Sequence, residues 1–155
     1  MQSKPFQTFL MQIDNQLPEQ EPTNEKNSLH AIVKRILENL KATAVERSST
    51  LINDIPFTFM VETDKNILSS LLNIVLRNII MQGRDCCYRL SARQYTNIVL
   101  LHVKDMGART EFQNKFYTED ANALCKTLGG CISLNEFHSH TRSLTFTFRS
   151  GLRAA

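Results

Sequence analysis

The stretch Val99–Phe112, VLLHVKDMGARTEF, decides how the rest of the chain is read. Four of its first five residues are apolar, and the run ends in Asp105. A short apolar run bounded by turn residues predicts a buried strand. A carboxylate at the end of such a strand points into the cleft above the sheet, where it can accept a hydrogen bond from an exocyclic amine. Gly107, two places on, lets the backbone approach a flat ligand or adopt positive φ. Taken alone, Asp-x-Gly is also what an ordinary strand-to-turn junction looks like. A further small residue would keep the turn open, but position 109 is Arg.

Working upstream, CCYRLSARQ predicts the partner strand, joined to the first through a turn at YTN. Before it lies DKNILSSLLNIVLRNIIMQG, residues 64–83, the strongest helical pattern in the chain. Asp64 suits the N-cap, and apolar residues recur from Ile67 through Leu71, Leu72, Val75 and Leu76 to Ile80. So wide an apolar face predicts a helix covered on much of its circumference, ended by Gly83. Asn78 interrupts that face between Val75 and Ile79. Asn is a poor helix former and is costly to bury without partners. It is either a boundary residue bonded to a neighbouring carbonyl or an amide kept for a ligand.

Further upstream, SLHAIVKRILENLKATAVERS is an amphipathic helix with Ser28 as its N-cap, and His30 sits at the boundary of its apolar stripe. TLINDIPFTFMVETD predicts one strand or two short ones around Pro56. Downstream, EDANALCKTL is a helix closed by Gly129-Gly130, and CISLNEF and SLTFTFR form a hairpin over HSHTR. The order helix, strand, helix, hairpin, helix, hairpin predicts an α+β fold. Its form is a two-layer α/β sandwich, with helices on one face of a mixed, mostly antiparallel sheet.

The chain of 155 residues is long enough for one domain with a proper core. Residues 28–150 are read as that domain. Residues 1–27 are read as an N-terminal helix (Phe6, Phe9, Leu10, Ile13, Leu17) and a polar linker, PEQEPTNEKN, the tail of a preceding helical element. A net charge of +3 with scattered Lys and Arg gives no footprint for nucleic acid. Cys86-Cys87 lacks the gap of a zinc knuckle, so the four cysteines read as reduced thiols. With no membrane-spanning run and no signal peptide, the chain is expected to be soluble and cytoplasmic.

Together, the Asp64-capped helix with Asn78, the hairpin ending in Asp105-Met106-Gly107, KFYTED, a helix, LGGCISL and SLTFTF resemble one family in order and spacing. It is the ATP-binding domain of sensor histidine kinases, of the superfamily shared with gyrase B, Hsp90 and MutL. The resemblance covers about Ser28 to Arg149. It implies a Bergerat-type fold, ATP and Mg²⁺ as cofactors, and a role in two-component signal transduction. By that resemblance Asn78 would hold Mg²⁺ between the phosphates, Asp105 would receive the adenine amino group, and Gly107 would lie beside the adenine. Phe116-Tyr117 match the aromatic pair before the nucleotide lid, and Gly129-Gly130 the return of the last helix to the sheet.

The departures from the family are as informative. Arg109 replaces the second Gly of D-x-G-x-G, where it either crowds the pocket mouth or offers phosphate a cation. Met81 and Gln82 stand where a basic residue and an aromatic are common, and Ile74 where an acid or amide is. After KFYTED the chain runs directly into ANALCK, without the Gly-rich lid whose amides would cradle phosphate. No H-E/D phosphoacceptor sequence is present. The expected function is the ATP-binding domain of a sensor kinase with weakened or lost nucleotide binding. The alternative is a vestigial, non-catalytic domain of a histidine phosphotransferase or signalling scaffold that binds a response regulator. The implied partners are a response regulator or histidine-containing dimerisation helices, and a homodimer is compatible with either.

Overall fold

The computed structural model describes residues 25–105, 119–136 and 142–151. The predicted first helix, the stretch from Met106 to Thr118 and the HSHTR turn (residues 138–142, except Arg142) lie outside the described residues. Three helices, α1 (Leu29–Glu46), α2 (Lys65–Gln82) and α3 (Glu119–Thr127), join seven strands. These are β1 (Lys26–Ser28), β2 (Thr50–Asn53), β3 (Met60–Glu62), β4 (Cys87–Tyr95), β5 (Ile98–Asp105), β6 (Ile132–Glu136) and β7 (Arg142–Arg149).

Five strands form one sheet in the order β2-β4-β5-β7-β6, and β1 pairs with β3 in a separate ribbon. β2 runs parallel to β4, and every other pairing is antiparallel. The parallel pair needs a crossover, and α2 supplies it. The mixed, mostly antiparallel α+β sandwich expected from the element order is what the chain adopts. TLINDIPFTFMVETD resolves into two strands that join different sheets.

Local chemistry explains each element. Ser28 caps α1 by accepting from the Ala31 amide at 3.2 Å. Asp64 caps α2 by accepting from the Asn66 and Ile67 amides at 3.0 and 3.1 Å. β4 and β5 turn over Thr96-Asn97, with Thr96 at φ 57°, the left-handed backbone a two-residue hairpin turn demands. Alternation then divides the sheet into two faces. Val99, Leu101, Val103 and Asp105 of β5 are buried, while Lys104 is exposed. Leu90 pairs with Val103, Leu101 with Phe146, and Val103 with Leu144, so the apolar rows of neighbouring strands coincide. The core lies between these rows and the apolar stripes of α1 and α2, where Leu29, Leu40, Leu68, Leu71 and Leu72 are fully buried. Full burial of each such side chain is worth about 1.5–3 kcal/mol.

Gly83 ends α2, but not by the left-handed cap that helix-terminal glycines usually provide. Its backbone is extended, at φ −101°. A Cβ there would sit 2.1 Å from the Tyr88 hydroxyl oxygen and 3.1 Å from Cys86 Sγ. Glycine is required because the chain after α2 folds back against the helix end. At Gly129-Gly130 the demands are conformational and steric. Gly129 has φ 78°, and a Cβ on Gly130 would meet the Thr147 carbonyl oxygen at 1.5 Å.

Candidate functional site

The corner where β5 ends beneath the last turn of α2 is the candidate site. Asp105 is the last residue of β5 and is only 3% exposed. It continues the row Val99, Leu101, Val103, so its carboxylate lies on the helix-covered face. It stands directly across the ladder from Tyr88 of β4, on the same face. Tyr88 is buried, and its hydroxyl donates to the Ile79 carbonyl oxygen at 3.3 Å. Ile79 follows Asn78 in α2. Tyr88 therefore reaches from the strand position beside Asp105 to the helical turn that carries Asn78, which is half-buried.

The electrostatics of this corner are those of a buried, low-dielectric site. The Tyr88 phenol is held well above its ordinary range, first by burial, then by its hydrogen bond to Cys86 and by the charges of Cys86 and Asp105. It stays a neutral donor throughout the physiological range. The setting combines a buried carboxylate with apolar neighbours and a fixed hydroxyl.

Asn78 immediately precedes the Ile79 carbonyl that Tyr88 bonds, and Asp105 stands across the ladder from Tyr88. Gly107, Arg109 and Phe116-Tyr117 lie outside the described residues. Met81 and Gln82 are exposed at the end of α2. Gly129-Gly130 belong to a different corner, where α3 returns to β7, and packing accounts for both glycines. Tyr88 was missed in the sequence, yet its signal was there. Once the turn is fixed at Thr96-Asn97, antiparallel counting sets Tyr88 opposite Asp105.

Among the described residues the other titratable groups are scattered. His30 shares a hydrogen bond with the Ile55 carbonyl oxygen, and its ring lies 4.0 Å from that of Phe57. His102 lies on the open face of the sheet, 3.0 Å from Thr145 Oγ1. Burial, and then the charge of Arg93, lower its pKa. All four cysteines are free thiols. Burial, followed by the charge of Cys131, pushes the Cys125 thiol up to about 11, so it is inert as a nucleophile. Among the described residues no group of three His, Cys, Asp or Glu side chains could hold a metal ion. None of the described helices is long and apolar enough to cross a membrane.

The sequence matches no family model and no curated protein. Its fold, however, has many solved counterparts. The histidine kinase AdeS of Acinetobacter baumannii superposes with a TM-score of 0.71 at 15% identity, covering 92% of this chain and 74% of AdeS. The catalytic domain of histidine kinase ThkA gives 0.67 at 12% identity, covering 81% of this chain and 96% of that domain. A longer ThkA chain, in complex with the response regulator protein TrrA, gives 0.66 at 12% identity, with 82% of this chain and 42% of that one covered. At these identities the likeness establishes the fold, that of histidine kinase catalytic domains.

Proposed function

We propose that this chain, folded as a histidine kinase catalytic domain, is the nucleotide-binding module of a two-component sensor kinase and that it grips the adenine end better than the phosphates. The observation that supports the reading is Asp105. It is a buried acid at the end of an otherwise apolar row, tied through Tyr88 to the helical turn of Asn78. In this reading the carboxylate accepts the exocyclic amine of adenine, and Gly107 lets the base lie against the backbone. The Asn78 carboxamide oxygen would supply a ligand for Mg²⁺, and Arg109, outside the described residues, would offer the phosphates a cation or crowd them. Mg²⁺, when bound, would neutralise charge on the phosphates. The chain's own residues hold and orient the base and exclude water from it.

The phosphate end lacks support. α3 begins at Glu119, within KFYTED itself, and the sequence has no Gly-rich segment between KFYTED and the rest of that helix. Phosphoryl transfer depends on positioning and charge stabilisation about the γ-phosphate. Each missing charge-assisted hydrogen bond costs about 1.5–3 kcal/mol. Losing two lowers affinity or rate by roughly two to four decades. The same missing segment favours a second reading. In it the domain is vestigial, belongs to a histidine phosphotransferase or scaffold, and docks a response regulator without turning over ATP. Dimerisation helices ahead of residue 28 would supply the phosphoacceptor and a homodimer in either case.

Thermal denaturation with adenosine, ADP and ATP, each with Mg²⁺, tests the first reading. Saturation at 100 times the dissociation constant stabilises a binder by about 2.7 kcal/mol. The expected result is a shift with all three ligands, differing little between ADP and ATP. A melting curve indifferent to millimolar concentrations of all three rejects nucleotide binding and leaves the vestigial domain.

A further inference from the structure

Two strands from Asp105, where Leu51 of β2 pairs with Tyr88, the sheet ends in an edge that nothing among the described residues closes. β2 is the terminal strand, and among the described residues no strand lies beyond it. Its inner edge is fixed by bonds from the Thr50 amide to the Cys86 carbonyl and from the Asp54 amide to the Leu90 carbonyl. By alternation the N–H and C=O groups of Leu51 and Asn53 turn outward. Natural sheets blunt such edges with shortness, Lys, Pro or bulges; the strand Thr-Leu-Ile-Asn is only four residues long but carries no Lys, Pro or bulge. Beside this edge runs a groove of about 580 Å³ between β2 and α1, lined in part by Leu37, Ala44 and Leu51. Val45 and Phe57 stand on its wall, 65% and 73% exposed, a degree unusual for side chains of that size. Lys34 and Lys41 also line it, two turns apart on α1, with one acid, Glu38, between them. Among the described residues neither lysine is held in an ion pair.

We infer that the outer edge of β2, with the groove beside it, docks an extended acidic segment of a partner protein as an added strand. The outward backbone groups of Leu51 and Asn53 call for an extended main chain rather than a helix. The apolar groove accepts every second side chain of that segment, and the lysines select acids at its flanks. The inference stands apart from nucleotide binding, since no residue of the Asp105 corner takes part.

The test uses the full chain and a fluorescein-labelled decapeptide alternating valine with glutamate, beside the same peptide carrying lysine for glutamate. Fluorescence anisotropy should show saturable binding of the glutamate peptide, weakening as salt is added, and at least tenfold weaker binding of the lysine peptide. Amide NMR should place the largest perturbations at Leu51 and Asn53. The double variant Lys34→Glu, Lys41→Glu should melt like the parent and bind the glutamate peptide at least tenfold less tightly. Val45→Glu, on an exposed position, should weaken binding without touching the lysines. The inference is overturned by no binding at about 1 mM peptide, by equal binding of the two peptides, or by perturbations centred on the β6 edge. It is equally overturned if sedimentation shows the edge already occupied by a second copy of the chain.

Discussion

At Gly83 a side chain, the Tyr88 hydroxyl, fills the space a Cβ would need; at Gly130 a backbone carbonyl, that of Thr147, does so. Both corners turn the chain from a helix back to the sheet, and both depend on glycine. They differ in what could yield. A tyrosine can tilt or be replaced, whereas the Thr147 carbonyl is part of the β7 backbone, and the Thr147 amide is bonded to the Cys131 carbonyl. They also differ in what else they hold. The Gly130 corner is explained by packing alone, so its match to histidine kinases adds nothing to the case for a nucleotide. The Gly83 corner also holds something more, the buried carboxylate of Asp105, which stands across the ladder from Tyr88.

The largest effect is expected at the corner that cannot yield. Gly130→Ala forces a methyl into the Thr147 carbonyl and should destabilise the fold by about 3 kcal/mol or more. Gly129→Ala, which imposes left-handed backbone on a residue with a Cβ, should cost about 1–2 kcal/mol. Urea unfolding of each variant measures both. A small loss at Gly130 would erase the claim that the Thr147 carbonyl cannot yield.

The next effect sharpens the comparison. Gly83→Ala should cost about 1–3 kcal/mol because Tyr88 must move aside. Tyr88→Phe should cost about 0.5–1.5 kcal/mol through loss of the bond to the Ile79 carbonyl. Combined, the two should be less damaging than the sum, since removing the hydroxyl vacates the space the new methyl needs. Gly130→Ala should show no such relief in the Tyr88→Phe background. A double-mutant cycle that is additive at Gly83 would break the claim that the tyrosine hydroxyl is what keeps that residue glycine.

Most of the fold was legible because its signals are local. The caps at Ser28 and Asp64, the apolar stripes of α1 and α2, and the turn at Thr96-Asn97 each involve residues a few places apart. What could not be read was set by groups distant in sequence. The β1–β3 ribbon depends on register across the whole first helix. The reason for Gly83 lies in Tyr88, and that for Gly130 in Thr147, seventeen residues on. At the site, Asp105 and Asn78 stood out because each breaks an apolar pattern. Tyr88 stayed hidden because it fits one. The docking edge was invisible, since a strand's place at the end of a sheet is a property of topology.

A third prediction addresses the acid at the first corner. Asp105→Asn keeps the shape of the side chain but exchanges one acceptor oxygen for a donor that faces the adenine amine. Affinity for adenosine and ADP, measured by calorimetry, should fall at least tenfold, about 1.4 kcal/mol, while the unfolding midpoint moves little. Unchanged affinity with an intact fold would remove Asp105 from the site. A collapse of stability with no nucleotide effect would make the acid as structural as Gly130.

The smallest effect lies on the open face of the sheet and serves as the control. Burial and Arg93 hold the pKa of His102 below its ordinary value. Between the folded and unfolded pKa values the folded chain therefore binds fewer protons than the unfolded one, so stability rises with pH across that window. Below about 6.5 stability should fall as pH is lowered towards the folded value, because protonation then favours the unfolded chain. Since the ring is partly solvated, the drop in melting temperature between pH 7.5 and pH 5.5 traceable to this residue should be no more than about 2 °C. His102→Gln, which keeps a partner for Thr145 without a titrating proton, should remove that component and leave the nucleotide response of the Asp105 corner untouched. If His102→Gln instead altered nucleotide affinity, the two faces of the sheet would be coupled. The separation between a structural surface and a functional corner would then fail.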